Sequence, residues 1–122
     1  LEVKVLNGEP GVYSARYAGS NCSFSDNVNL LLQNLKGKKD RYARFKTVIA
    51  LKMSAHQSEL FEGIINGVIT ETLAGEGGFG YDPIFQPNGF NETFSEMSPK
   101  TKNEISHRGL ATQKLVAFLK TL

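Results

Sequence analysis

Cysteine occurs once in this chain of 122 residues, at Cys22. No disulfide can close within the chain, which fits a reducing, cytoplasmic setting. No apolar run approaches the ~18–20 residues that a membrane helix needs. Charge of one sign is scarce too: 14 Lys and Arg against 12 Asp and Glu leave a formal +2. That excess is too small for bulk electrostatics to hold nucleic acid or a membrane surface. There is no internal repeat, low-complexity segment or linker. The nucleophile elbow Gly-x-Ser-x-Gly is absent, as is the Gly-Lys-Ser/Thr ending of a phosphate-binding loop. His56, in Ser54-Ala55-His56-Gln57-Ser58, has no Cys, Asp or second His at metal-ligand spacing, which excludes a zinc site. Cys22 has no sequence neighbour that would activate it as a nucleophile.

What is present is ordinary globular material, 40% hydrophobic and 21% charged, enough for one domain or a piece of one. A chain of this length buries roughly two-thirds of its unfolded surface. It opens without Met, directly in the alternation Leu1-Glu2-Val3-Lys4-Val5, which reads as a strand already under way. The expectation is a processed start, or the C-terminal part of a longer protein. A turn cluster follows, Asn7-Gly8-Glu9-Pro10-Gly11, and then an aromatic-basic stretch over residues 12–18.

Ser25 and Asp26 are suited to cap a helix running to Leu35, with Val28, Leu31, Leu32 and Leu35 on one face and Gly37 as the stop. Residues 36–44 read as a solvated basic connector. Residues 45–53 predict a largely buried strand. Residues 60–73 predict another, in which Gly63 and Gly67 mark a bulge or a close approach of backbones. Strand pattern returns at Ile84-Phe85, and Pro87-Asn88-Gly89 marks a turn. Ser98-Pro99 starts a short helix over residues 99–103. A second helix, residues 107–119, should bury Ala111, Leu115, Phe118 and Leu119. The order fits an α/β or an α+β domain and does not choose between them.

Two segments have the residue types for binding chemistry. In Gly77-Gly78-Phe79-Gly80-Tyr81-Asp82-Pro83-Ile84-Phe85, glycines bracket an aromatic ring, so backbone can approach a flat ligand while the ring offers a stacking face. Asp82, three residues on, can accept hydrogen bonds from a base or sugar. The same string also reads as a strand-entry loop with Phe79 buried and Asp82 capping. In Ser106-His107-Arg108-Gly109, two cations stand at the first turn of the last helix, where free N–H groups favour an anion or a carbonyl oxygen. Ser106 as a plain N-cap with two solvated neighbours is the alternative. Lys102, upstream, reads by itself as a solvated lysine. Arg16, between Tyr13 and Tyr17, is open to a phosphate contact, an interface or a structural role. Glu92 and Glu96 read as surface.

Taken in order, three strings resemble one family. They are Leu1-Glu2-Val3 through Asn7-Gly8-Glu9-Pro10-Gly11-Val12-Tyr13-Ser14-Ala15-Arg16-Tyr17-Ala18-Gly19, then Gly77 to Phe85, then Lys102-Asn103-Glu104-Ile105-Ser106-His107-Arg108-Gly109. The family is the non-canonical purine nucleoside triphosphate pyrophosphatases, or XTP/dITP diphosphatases. The resemblance implies an α/β fold of two lobes around an elongated mixed β-sheet, Mg2+ dependence, a homodimer, and hydrolysis of ITP, dITP and XTP to the monophosphate and pyrophosphate. It implies that Phe79, Gly80, Tyr81 and Asp82 bind substrate with Phe79 stacked on the purine, and that Lys102, His107 and Arg108 make the other contacts near the base.

The family's phosphate-binding and metal-binding motifs, and its catalytic Asp-Asp-Ser-Gly segment, have no counterpart among these 122 residues. The expectation is therefore that residues 1–122 form the C-terminal majority of a single such domain and carry base recognition without the catalytic carboxylates. A non-catalytic nucleotide-binding or dimerisation fragment is the alternative.

Overall fold

The structure, a computed structural model, describes residues 1–76 and 79–122. Four strands pair in the order β1-β2-β3-β4, with β1 over Glu2–Val3, β2 over Tyr42–Ser54, β3 over Gln57–Ile69 and β4 over Phe85–Pro87. Three α-helices accompany them: α1 at Phe24–Asn34, α2 at Pro99–Ile105 and α3 at His107–Leu119. The α/β character is as the family resemblance implies, and the C-terminal helix is as the residue pattern predicts. Pairing is antiparallel between β1 and β2 and between β3 and β4. The two-residue connection Ala55-His56 can join β2 to β3 only as an antiparallel hairpin.

The chain divides into two compact units, one of Leu1–Arg44 with Asn66–Ser98 and one of Phe45–Ile65 with Pro99–Leu122. Strands β2 and β3 contribute residues to both.

In the first unit, β1 is shorter than the opening alternation predicts. After Val3 the chain tightens into a 3-10 turn, Lys4–Leu6, and Asn7 takes a left-handed φ of 58°. Gly8, with φ +90°, completes the reversal, and its N–H donates to the Val3 carbonyl. Val3 pairs with Ala43, both fully buried, and Glu2 pairs with Arg44, whose Nε donates to Glu2 Oε1 at 2.7 Å.

Helix α1 is capped two residues earlier than expected, at Ser23. Ser23 accepts from Asp26 N–H while the Asp26 carboxylate accepts from Ser23 N–H, a reciprocal capping box. Val28, Leu31 and Leu35 are buried as predicted, whereas Leu32 is only half-buried.

Arg41 corrects the reading of residues 36–44 as solvated. Its guanidinium donates to the carbonyls of Leu35, Ile69 and Thr70 at 2.7–2.9 Å. A fork of fixed N–H groups satisfies the open carbonyl end of α1 and the end of β3 together.

In the second unit β2 is not largely buried. It alternates, with Phe45 buried and Val48 about half exposed, because one face of an antiparallel hairpin can face water. Phe61 and Phe118 pack with ring centroids 5.4 Å apart, and Ala111 is fully buried. Leu119 is exposed, contrary to expectation, and Leu115 and Phe118 are half-buried. Helix α2 runs two residues beyond the predicted Asn103, to Ile105.

Both glycines flagged in β3 are sites of close approach. A Cβ on Gly63 would lie 1.9 Å from the His107 carbonyl oxygen and 2.6 Å from Ala111 N, so the first turns of α3 rest directly on β3. A Cβ on Gly67 would lie 2.3 Å from the Gln86 carbonyl oxygen.

Because backbone rather than a flexible side chain blocks the Gly63 site, Gly63→Ala must displace α3. The expected cost is about 1–3 kcal/mol, as for overpacking in a core. Urea denaturation of the variant checks this, and an unchanged midpoint would contradict the close approach.

Candidate functional site

The residues singled out in the sequence fall in two places. Phe79, Gly80, Tyr81 and Asp82 belong to the first unit, and Lys102, His107 and Arg108 to the second. Gly77 and Gly78, which open the glycine-rich tract, lie outside the described residues.

The loop around Phe79 is built from its own backbone demands. The Asp82 carboxylate accepts from Phe79 N–H at 3.0 Å, closing a tight turn. Between them Gly80 takes φ +61°, the left-handed region where a side chain is strained. The two rings of this turn differ in exposure: Tyr81 is buried and Phe79 is 48% exposed. The phenol of Tyr81 donates to the Ser14 carbonyl at 2.6 Å. Burial pushes that phenol well above its ordinary pKa, so it remains a hydrogen-bond donor. The strand-entry reading had Phe79 buried and Asp82 capping; instead Phe79 is half exposed, and Asp82 opens the short 3-10 helix Asp82–Ile84, which has no side-chain cap, and closes back on the Phe79 amide. Farther along, Gly75 packs against Ser95, and Thr93 Oγ1 donates to the Ala74 carbonyl at 2.6 Å, which fixes the loop's entry. Glu96 is on the surface as expected, yet its carboxylate accepts from Thr93 N–H.

One ring packed on Phe79 was passed over in the sequence. Phe24, the first residue of α1, lies with its centroid 6.4 Å from that of Phe79 at an interplanar angle of 39°. Recognising Ser23 rather than Ser25 as the cap would have placed an aromatic at that exposed helix start. Nearby, Arg16 stacks over the ring of Tyr13 at 5.5 Å, a cation–π contact.

In the second unit Ser106 caps α3 by accepting from Gly109 N–H at 3.1 Å. Gly109 packs its Cα against the Asn103 carbonyl, so α2 and α3 meet without a side chain between them. His107 is half-buried and lies flat on Phe45, centroids 4.8 Å apart and planes 12° from parallel. Its Nδ1 is buried, and no hydrogen-bond partner for it is found among the described residues. Burial first, then the charges of Arg108 and Lys102, push His107 down to about 4. Near neutral pH its imidazole is therefore uncharged. Arg108 is exposed at the helix start and Lys102 is half-buried on α2.

Among the described residues, no group of three or more His, Cys, Asp or Glu side chains gathers as a site for a metal ion would. No described helix is long and apolar enough to cross a membrane.

A family model, the Ham1 family, matches residues 1–118. The chain belongs to the Ham1 family. A dITP/XTP pyrophosphatase of Flavobacterium johnsoniae is 54% identical over 119 residues, covering 98% of this Ham1 chain and 62% of that protein. One from Porphyromonas gingivalis is 49% identical, with 98% and 61% covered. Among solved structures, the Staphylococcus aureus Ham1 protein matches with a TM-score of 0.95 at 44% identity, covering 98% of this chain and 62% of that one. The chain thus spans about 62% of the length of these relatives. The resemblance read from the three sequence strings is borne out at the level of family.

The state of His107 is open to direct measurement. Its imidazole should titrate near pH 4 by NMR, against about 6.5 for an unperturbed histidine. Between those values the unfolded chain binds the proton that the folded chain does not. This contribution to stability is therefore complete above about pH 6.5 and is lost as pH falls toward 4. A titration midpoint near 6.5 would contradict the buried stack on Phe45.

Proposed function

We propose that the protein hydrolyses non-canonical purine nucleoside triphosphates, ITP, dITP and XTP, to the monophosphate and pyrophosphate. In this reading its 122 residues carry recognition of the base. One observation bears most of the weight: Phe79 is 48% exposed on a loop otherwise fixed by the Asp82 and Tyr81 hydrogen bonds. A purine laid on that ring would remove apolar surface from water, and the hydrogen bonds at Phe79 and Tyr81 reduce the cost of ordering those residues. The names of the relatives, dITP/XTP pyrophosphatase at 54% and 49% identity, support the same substrate class.

The resemblance supports Lys102, His107 and Arg108 as polar contacts near the base. A guanidinium is an obligate donor, and an imidazole kept neutral offers one donor and one acceptor. Arg108 or His107 donating to the 6-oxo group of hypoxanthine or xanthine makes a hydrogen bond that the 6-amino group of adenine cannot accept. Leaving a buried polar group unpaired costs about 1–3 kcal/mol, enough to turn ATP away. A 6-oxo contact alone does not separate inosine from guanosine. Mg2+, where it takes part, supplies charge neutralisation on the triphosphate; no step is assigned to it through the residues described. The resemblance also supports a homodimer and a cytoplasmic setting.

The test is pyrophosphate release from ITP and ATP, side by side, with Mg2+ and with EDTA, together with calorimetric binding of both nucleotides. ITP should bind about 5- to 150-fold more tightly than ATP, the range that 1–3 kcal/mol spans. Arg108→Ala should narrow that ratio. Selective binding without release would mark these residues as the recognising part only. Equal affinity for the two nucleotides would overturn the reading.

A further inference from the structure

We propose that Phe24 is a positioning residue for base recognition, setting the inclination of the Phe79 ring from the N-terminus of α1. This inference rests on the assignment of Phe79 as the stacking ring.

An aromatic side chain at the first position of a helix, 55% exposed, gains little from burial in the fold's own core. Its described ring contact is with Phe79, centroid to centroid 6.4 Å with planes tilted by 39°. That geometry lies within the range where aromatic rings attract through their quadrupoles. It also leaves no gap between the rings for a base. A flat ligand held between two rings needs them parallel and about 7 Å apart, twice the ordinary carbon contact of ~3.5 Å. Phe24 therefore supports Phe79 from the side and does not sandwich a purine with it.

The platform beneath Phe24 is rigid for reasons independent of the pair. The Ser23–Asp26 capping box holds the helix start. One turn on, Asn27 is 2% exposed, and its side chain accepts from Ala18 N–H at 2.8 Å and from Cys22 Sγ at 3.1 Å while donating to the Ala15 carbonyl at 3.2 Å. A ring anchored there restricts the rotamers of its neighbour. Phe79 loses less freedom when a base arrives, so the base binds more tightly.

The experiment uses the 122-residue chain and three variants, Phe79→Ala, Phe24→Ala and Phe24→Tyr, with two readouts. The first needs no ligand: amide hydrogen exchange at Phe79, whose N–H is bonded to Asp82. Phe24→Ala should speed it several-fold, and Phe24→Tyr should leave it unchanged. The second is calorimetric binding of ITP and of inorganic triphosphate. Phe24→Ala should weaken ITP binding by about two- to tenfold, the worth of one aromatic pair, and leave inorganic triphosphate unchanged. Phe24→Tyr should restore ITP binding. If Phe79→Ala weakens ITP binding and Phe24→Ala does not, the positioning role falls and base stacking stands. If Phe79→Ala leaves ITP binding unchanged, or ITP does not bind at all, both fall. Unchanged exchange at Phe79 in Phe24→Ala overturns the positioning role whatever the nucleotide does.

Discussion

Backbone meeting backbone with no Cβ between them is the constraint on which this structure turns. Strand β3 does this once in each unit. At Gly63 it admits the carbonyl of His107 and the amide of Ala111, and at Gly67 it admits the carbonyl of Gln86. Any side chain at either position would put a carbon inside the van der Waals radius of a main-chain atom. The first contact decides where the N-terminus of α3 sits, and therefore where Ser106, His107 and Arg108 are presented. The second holds β3 against β4, which leads back through Ile84 to the loop carrying Phe79. The glycines themselves are chemically silent, and the placement of the candidate binding residues depends on them.

Electrostatics follows from that placement. With the first turn of α3 on the strand, the His107 ring stacks on Phe45, and burial strips it of the water that would stabilise its charge. The neighbouring cations act in the same direction. The result is an uncharged imidazole beside charged groups, which gives one end of the second unit two kinds of hydrogen-bonding partner. Arg108 is exposed, and its guanidinium offers N–H groups that only donate.

The sequence made the long elements and the glycine approaches legible because their signals are local. Hydrophobic spacing found the Val28, Leu31 and Leu35 face of α1, and glycines inside an apolar strand pattern announced Gly63 and Gly67 before any partner was known. What stayed hidden depended on residues far away in the chain. Arg41 looks solvated among lysines because its three acceptors include carbonyls 28 and 29 residues distant. Residues 45–53 look buried because apolar composition does not say which face of a hairpin remains wet. The binding segments around Phe79 and His107 were legible as motifs, yet the ring against Phe79 was not, since it lies across a long stretch of intervening chain. Ser23 as cap was missed for a simpler reason: two later residues, Ser25 and Asp26, offer the same chemistry.

The bond from the Tyr81 phenol to the Ser14 carbonyl links segments 67 residues apart. It makes the aromatic-basic stretch near the start of the chain a strut under the loop that presents Phe79. A shift of the backbone in residues 12–17, where Val12 and Tyr13 lie open to water, thereby reaches a loop it does not adjoin in the chain. A change that shifted the backbone at Ser14 would be felt first as a loosened Tyr81, and only then at the ring beyond it.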